Sequence, residues 1–197
     1  MIDILLHPAV PSLFLGLWVM WWWNQRKHPP LLPSMDRKNA KPGDISLGGS
    51  TATSKTELRV RQVIESAGYP TYPQGTLLCV GRDSAGKNRF FTPDIMIRKP
   101  LVVVEVDPAH WHGSPEKVAE DVMRNRFYAS LGLRVVRVRI DGVTALSPND
   151  VVIRDSDFRP ERHGSKVARA VGSAKVLPPS YWNQRNLKHA GIYRSAS

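Results

Sequence analysis

The 197-residue chain has almost no cysteine, since Cys79 is the single one. One cysteine excludes a disulfide framework and a cysteine-based zinc site. It also favours a reducing compartment, so we expect a cytoplasmic location. The sequence lacks internal repeats as well. Hydrophobic residues make up 42% of the chain, which is enough to build a core and excludes a wholly disordered protein.

Acidic residues are scarce relative to basic ones. The chain has 28 Lys and Arg against 17 Asp and Glu, a formal net charge of +11. The excess is concentrated in residues 159–197, which hold eight Lys and Arg and one acid, Glu161. Residues 51–158 are nearly balanced, with fifteen bases and thirteen acids. A basic excess indicates a polyanionic partner, either nucleic acid or an anionic membrane surface.

Long hydrophobic runs are confined to the N-terminus. Residues 1–23 form a hydrophobic segment that ends in three tryptophans and is followed by Arg26 and Lys27. Three interpretations stay open. The segment is a membrane anchor that holds the protein on the cytoplasmic face, a packing or partner segment, or an over-extended start with Met35 as the true first residue.

The rest of the chain divides into three further segments. Residues 24–53 are rich in Pro, Gly, Ser, Asn and Lys and predict a flexible linker. Residues 54–158 predict the folded domain. Residues 159–197 predict a basic, partly ordered C-terminal arm, whose bases alternate with aromatic residues in a way that suits nucleic-acid contact.

Hydrophobic periodicity within residues 54–158 predicts an α/β fold. The pattern Ser54-Lys55-Thr56-Glu57 is a capping box that opens a helix. Strands are predicted at 76–81, 89–97 and 101–107, a second helix at 114–131, and a last strand at 133–140. In this last strand apolar and basic residues alternate, which is typical of one dry and one wet face. The order α-β-β-β-α-β predicts a mixed central sheet flanked by helices.

Three acids on this framework point to chemistry. Glu105 and Asp107 are two apart on a valine-rich strand, so their side chains leave the same face. Acids among valines are costly to bury unless they are paired or bind a cation. Asp94 follows Pro93 and lies where a neighbouring strand could bring it beside Glu105. Converging carboxylates form the oxygen-rich site that Mg²⁺ prefers, and such an ion can polarise a phosphate and activate water.

These residues resemble a known family. Thr92-Pro93-Asp94, ten intervening residues and Glu105-Val106-Asp107 resemble the PD-(D/E)xK core of restriction-endonuclease-like nucleases. Residues 102–113 are similar to a strand and loop of very-short-patch-repair-type endonucleases, and residues 124–139 to their final helix and strand. The resemblance covers residues 54–141. It implies a restriction-endonuclease-like core and a metal-dependent DNA endonuclease that hydrolyses phosphodiester bonds.

The resemblance also implies roles for individual residues. Asp94 and Glu105 would hold Mg²⁺, or alternatively Mn²⁺, with the carbonyl of Val106 as an extra ligand. His112 would be the acid or base of the reaction, since a histidine titrates near neutral pH. Residues with supporting catalytic roles would be His110, Asp107 and Glu57. Each also has an ordinary structural interpretation: Glu57 completes the capping box, Asp107 makes an Asx-type turn, and the histidines lie on a surface loop.

Further side chains are candidates for nucleic-acid contact. Trp111 lies between the two loop histidines and could stack on a base. Arg124 and Arg126 lie on the second predicted helix and could contact phosphates, the alternative being a solvated helix face. DNA is the expected partner, and RNA is the alternative substrate.

One departure from the family pattern leaves two hypotheses open. The family usually has lysine two residues after the glutamate, whereas this chain has Asp107. Either His112 takes over the task of the lysine, or the protein is a catalytically degenerate nucleic-acid-binding module of the same fold. A third hypothesis, of a different class, is a membrane-tethered protein whose basic arm binds anionic lipid.

Overall fold

Two β-sheets and three α-helices form a mixed α/β fold in the part of the chain that the structure describes. The computed structural model describes residues 36–109 and 115–183. The strands are β1 (Ile45–Leu47), β2 (Thr76–Arg82), β3 (Asn88–Phe91), β4 (Ile95–Ile97), β5 (Val102–Pro108), β6 (Arg134–Ile140) and β7 (Val151–Ile153). The helices are α1 (Lys55–Ser66), α2 (Pro115–Ser130) and α3 (Pro160–Ser173), and a 3₁₀ turn spans Pro179–Trp182.

The sheets differ in topology. The first contains β1, β2 and β3 in that order, and all its pairings are antiparallel. The second has the order β4-β5-β6-β7, in which β4 is antiparallel to β5 and the remaining pairings are parallel. Since β5 and β6 run in the same direction, their carboxyl ends meet at one edge of the sheet. This edge carries the candidate site.

The valines of β5 are buried on both sides, as predicted for a central strand. Val102, Val104 and Val106 pack in one core cluster with residues of α1 and α3. Val103 belongs to a second cluster that includes Tyr128 of α2 and residues of the three-stranded sheet. The four-stranded sheet therefore has α1 and α3 on one face, and α2 with the three-stranded sheet on the other.

Helix α1 begins as its sequence predicts. Ser54 is the N-cap, and its Oγ accepts a hydrogen bond from the backbone N–H of Glu57 at 3.1 Å. Val60 and Ile64 are the buried residues of the helix. Gly68 follows the end of the helix with a φ of 89°, a left-handed conformation that favours glycine.

The predicted strand at 89–97 is two strands. Thr92-Pro93-Asp94 separates β3 from β4, and the two strands belong to different sheets. A proline has no N–H to donate to a ladder and commonly ends a strand, which explains the break. The observed order over residues 54–140 is thus α-β-β-β-β-α-β, one strand more than predicted.

The prediction of a wet face on the strand at 133–140 is wrong. Arg137 and Arg139 are 1% and 0% exposed, and both belong to β6. The alternation of apolar and basic residues reflects two dry faces instead, one apolar and one made of ion pairs. The buried arginines are possible because carboxylates of β5 and α2 neutralise them.

The expected linker and arm both contain structure. In the linker, β1 pairs with β2. In the arm, α3 packs against α1 and contributes Val167 and Val171 to the core. The basic residues of α3 predict a solvated arm. Val167 and Val171, one turn apart, form an apolar stripe that instead packs on the sheet.

No helix among residues 36–109 and 115–183 is long and apolar enough to cross a membrane. The candidate anchor at residues 1–23 lies outside the described residues.

We expect Val167→Ala to lower the free energy of unfolding by about 2 kcal/mol, because the lost methyl groups leave a cavity beneath α3. The side chain is 0% exposed. The matched control is Val176→Ala, which removes the same atoms from a side chain that is 49% exposed. Denaturant unfolding of both variants is the measurement. Equal, small effects would contradict the packing of α3 on the core.

Candidate active site

A cleft of about 450 Å³ opens at the carboxyl ends of β5 and β6. It brings together most of the site residues that the sequence predicts in the described part of the chain. These are Glu57, Asp94, Glu105, Val106, Asp107 and Arg124. Further lining comes from the N-terminus of α1 and from the segments after β6 and β7, and includes Thr56, Asp141 and Asp157.

Asp94 precedes β4 by one residue and is held by the neighbouring strand. The β4–β5 ladder pairs Ile95 with Val104, so the same register continued by one residue sets Asp94 opposite Glu105. The Oδ2 atom of Asp94 accepts a hydrogen bond from the backbone N–H of Val106 at 2.8 Å. This bond orients the carboxyl group toward β5, as the sequence-based interpretation expects.

The environment of Asp94 disfavours its charge. Burial and the nearby charge of Glu105 raise the pKa of Asp94 to about 8, with smaller contributions from Glu57 and Asp107. The hydrogen bond from Val106 acts in the opposite direction and is outweighed. Two carboxyl groups are therefore held together in a desolvated position that a cation would stabilise.

Glu105 is only 2% exposed and has two polar partners. The Tyr128 hydroxyl donates a hydrogen bond to Oε1 at 2.7 Å. Arg124 Nη1 lies 3.4 Å from both carboxylate oxygens, which is a long and weak contact. Burial raises the pKa of Glu105, while Arg124, Arg137 and Tyr128 oppose the rise without cancelling it. Glu105 is therefore only partly neutralised by its neighbours.

Asp107 has a different environment, in a buried network of four charges. Its Oδ2 accepts hydrogen bonds from Arg137 Nη1 at 2.7 Å and from Arg139 Nη1 at 2.8 Å. The carboxylate of Asp121, on α2, completes the network at 3.0 Å from each arginine. Two carboxylates thus face two guanidinium groups. Asp107 lines the cleft, but its charge is satisfied by the protein itself.

Glu57 lies at the cleft as well as in the first turn of α1. Its backbone N–H takes part in the cap, while its side chain lines the cleft and is close enough to act on the charge of Asp94. The cap and a place in the site are therefore compatible for this residue.

The two candidate arginines of α2 differ in position. Arg124 lines the cleft, and its guanidinium carbon lies 5.0 Å from the ring centroid of Phe91. Arg126 is exposed and is not part of the cleft lining. The predicted loop residues His110, Trp111 and His112 lie outside the described residues. Ala109, which precedes them in the chain, lines the cleft.

The donor set at the cleft fits a hard divalent cation with few protein ligands. No group of three or more His, Cys, Asp or Glu side chains suited to a metal occurs within residues 36–109 and 115–183. Asp94 and Glu105 are carboxyl groups of the cleft whose pKa is raised by burial. Mg²⁺ commonly binds through one or two carboxylates and keeps several waters, so this pair suits that ion.

Sequence reasoning missed the residues that support the acids. Tyr128 was not singled out, although it lies one helical turn after Arg124. The alternation of apolar and basic residues in β6 predicts a solvated face for Arg137 and Arg139, which is wrong. A signal for them was present, because Glu105 and Asp107 are two apart, as are Arg137 and Arg139. The parallel register pairs Glu105 with Arg137 and Asp107 with Arg139.

Comparisons with known proteins add no assignment: no family model, curated protein or solved structure matches this chain.

We expect Asp94→Asn to stabilise the metal-free protein at alkaline pH. Burial and Glu105 raise the pKa of Asp94 from 3.8 to about 8, so the folded chain keeps a proton that the unfolded chain releases. The free energy of unfolding therefore falls as the pH rises between these two values, and an amide, which does not titrate, removes that loss. At about pH 9 the variant should be more stable by about 1–3 kcal/mol in denaturant unfolding with EDTA.

Asp107→Asn should act in the opposite direction. It leaves Arg137 and Arg139 with one carboxylate instead of two, which should lower the free energy of unfolding by about 3 kcal/mol. The same titration in EDTA measures both variants. If Asp94→Asn also destabilised the protein at alkaline pH, the distinction between an unneutralised and a neutralised carboxyl group would be wrong.

Proposed function

We propose that the cleft is the active site of a metal-dependent DNA endonuclease with a restriction-endonuclease-like core. One observation carries the proposal: Asp94 and Glu105 meet at the cleft, and no cation among residues 36–109 and 115–183 neutralises the pair fully. Burial and mutual repulsion raise the pKa of Asp94, a cost that a site built for a cation explains. The sequence resemblance across residues 54–141 adds the reaction class.

Asp94 and Glu105 would hold Mg²⁺, or Mn²⁺, and the carbonyl of Val106 would be a further ligand. The bound ion supplies charge that polarises a phosphate and lowers the pKa of a water molecule. The protein contributes the orientation of the carboxyl groups. Val106 N–H fixes Oδ2 of Asp94, and the Tyr128 hydroxyl fixes Oε1 of Glu105. The second oxygen of each carboxyl group has no such short hydrogen bond within the described residues.

Other residues would handle the proton and the phosphate. His112 is proposed as general acid or base, with His110 in support, because both follow Ala109 of the cleft lining closely in the chain. Glu57 would contribute negative potential at the cleft, while Asp107, paired with Arg137 and Arg139, would support the strand that carries Glu105. Arg124 would bind a phosphate oxygen, since its long contact with Glu105 leaves guanidinium donors for a ligand.

The arrangement of elements supports the proposed core. The strand that carries Glu105 lies between an antiparallel neighbour, β4, and a parallel neighbour, β6. The connection from β5 to β6 contains α2, and α1 packs on the opposite face. The N-terminus of α1 also lines the cleft, and a helix N-terminus favours an anionic group such as a phosphate.

The second candidate function is a nucleic-acid-binding module of the same fold without catalysis. The observation that favours it is the state of Asp107, which occupies the position of the family's lysine and is tied to Arg137 and Arg139. A side chain held in this way cannot orient an attacking water as a lysine does. Salt-dependent DNA binding without metal-dependent cleavage would support this candidate.

Purified full-length protein should nick or cut plasmid DNA in the presence of Mg²⁺ or Mn²⁺, and EDTA should abolish the activity. Asp94→Asn and Glu105→Gln should each reduce the rate by at least about 100-fold, since each removes one carboxylate ligand. Agarose gels of supercoiled plasmid give the rate.

The matched control for Glu105→Gln is Glu120→Gln. Glu120 is exposed on α2 and contacts Lys117, so its amide should leave cleavage unchanged within about twofold. If the wild type and both cleft variants cut equally, the site is misassigned. DNA binding by a wild type that cuts with neither metal would favour the second candidate function.

A further inference from the structure

An arginine outside the cleft shares an aromatic support with Arg124. The rings of Phe91 and Phe127 meet edge to face with centroids 5.6 Å apart. The guanidinium carbon of Arg89, on β3, lies 5.6 Å from the Phe91 centroid and 5.3 Å from the Phe127 centroid. Arg124 lies 5.0 Å from the same Phe91 ring. We call these four residues, Arg89, Phe91, Arg124 and Phe127, the arginine–phenylalanine shelf.

Arg89 is held in place without being neutralised. Within residues 36–109 and 115–183 its guanidinium group makes these two ring contacts and has no carboxylate partner. Stacking on aromatic faces restricts the side chain while leaving its N–H donors free for another acceptor. A guanidinium group in this state is suited to bind a phosphate, because less of its freedom remains to be lost on binding.

The positive charge continues from the shelf along the β2–β3 hairpin. Arg82 and Lys87 are exposed at the hairpin, on either side of its loop. The one acid of this loop, Asp83, accepts hydrogen bonds from the backbone N–H groups of Ala85 and Lys87. Its carboxylate is thus engaged by the loop itself. Three bases and one acid lie within residues 82–89, so the hairpin has a basic surface.

The geometry connects this surface to the cleft. The guanidinium group of Arg124 lies 3.4 Å from the carboxylate of Glu105 and also contacts the Phe91 ring. Arg89, on β3 of the hairpin, contacts the same ring, so Phe91 lies between a guanidinium group at the cleft and one on the hairpin. Successive cationic groups of this kind match the successive phosphates of one nucleic-acid strand.

We propose that the shelf and the β2–β3 hairpin bind the phosphate backbone of DNA and lead one strand into the cleft. This inference rests on the proposed function, because it takes DNA as the substrate. Arg89 is a substrate-binding residue in it and has no part in the chemical step. Its N–H groups donate to phosphate oxygens, so its contribution is electrostatic and independent of base sequence.

Fluorescence anisotropy with a labelled DNA duplex tests the proposal, using the full-length protein in EDTA at several NaCl concentrations. Arg89→Gln should weaken binding by roughly threefold to tenfold near about 0.1 M salt. It should also reduce the slope of log affinity against log salt by about 1, because one phosphate contact is lost. Thermal unfolding of the variant should be nearly unchanged, since Arg89 makes no buried ion pair.

The matched control is Arg169→Gln. Arg169 is an exposed residue of α3, which packs on the other face of the four-stranded sheet. The variant loses the same charge, so any effect of net charge alone is equal in the two proteins. Binding and salt slope should stay close to wild type. Equal losses for Arg89→Gln and Arg169→Gln would overturn the assignment of the shelf.

Arg89→Lys separates charge from packing. A lysine keeps the positive charge but loses the planar stacking group, so the salt slope should return to the wild-type value while affinity recovers only in part. If Arg89→Lys kept the reduced slope of Arg89→Gln, the role of Arg89 would be to cover the phenylalanines, and the proposal would fail.

The outcomes distinguish this inference from the proposed function. A wild type that binds DNA with the predicted dependence on Arg89 but cuts with neither metal contradicts the nuclease and leaves the binding surface standing. A wild type that cuts DNA with no dependence of binding on Arg89 contradicts the surface alone. Failure of the wild type to bind DNA overturns the surface, as would tighter, Arg89-dependent binding to an RNA duplex of the same sequence.

Discussion

Carboxylates placed in a valine-rich strand have to be neutralised, and the rest of this structure depends on how that is done. Asp107 is neutralised completely, by two buried arginines that also tie β5, β6 and α2 together. Glu105 is neutralised in part, by a tyrosine hydroxyl and a distant guanidinium group. The carboxyl group of Asp94 receives, from the residues that the structure describes, a single hydrogen bond, which comes from a backbone N–H. The degree of neutralisation thus decreases from Asp107 through Glu105 to Asp94, although all three acids line the cleft. The charge that stabilises the fold and the charge that is left for a ligand are therefore on different residues of one sheet.

The parts of the site that could be predicted from the sequence are those that depend on local patterns of residues. The capping-box pattern was sufficient to predict Ser54 as the N-cap of α1. Strand composition and periodicity were sufficient for the buried strand and for Glu105 and Asp107 on one face. Arg137 and Arg139 were misassigned because alternation does not reveal which strand lies alongside. A wet face and a face of ion pairs have the same pattern of residues, and only the parallel register of β5 and β6 distinguishes them.

The missed elements of the fold have a similar cause. The run at 89–97 is apolar apart from Arg89 at its start and Thr92-Pro93-Asp94 at its centre, so periodicity does not reveal that Pro93 divides it between two sheets. Helix α3 was not predicted because the basic residues of its segment indicate a solvated arm. In the structure Arg162 is paired with Asp155, and Lys166 donates a hydrogen bond to the carbonyl of Val152. A sequence does not distinguish basic side chains that form contacts within the fold from basic side chains that bind a partner. Tertiary contacts therefore decide what a basic segment does.

The arginine pair also bears on the missing lysine. A lysine in place of Asp107 would set a third cation beside Arg137 and Arg139 in a buried position, which like-charge repulsion and desolvation both oppose. Aspartate at this position and the two arginines are thus mutually dependent. In the proposed nuclease, the task of the lysine would therefore fall to a group outside the network. The other acids of the cleft, Glu57, Asp94 and Glu105, repel phosphate when they are ionised. Basic side chains that bind a polyanion at the cleft therefore have to lie at its rim, next to the acids. Arg124 meets that requirement because its guanidinium group contacts Glu105 and is also supported by the Phe91 ring.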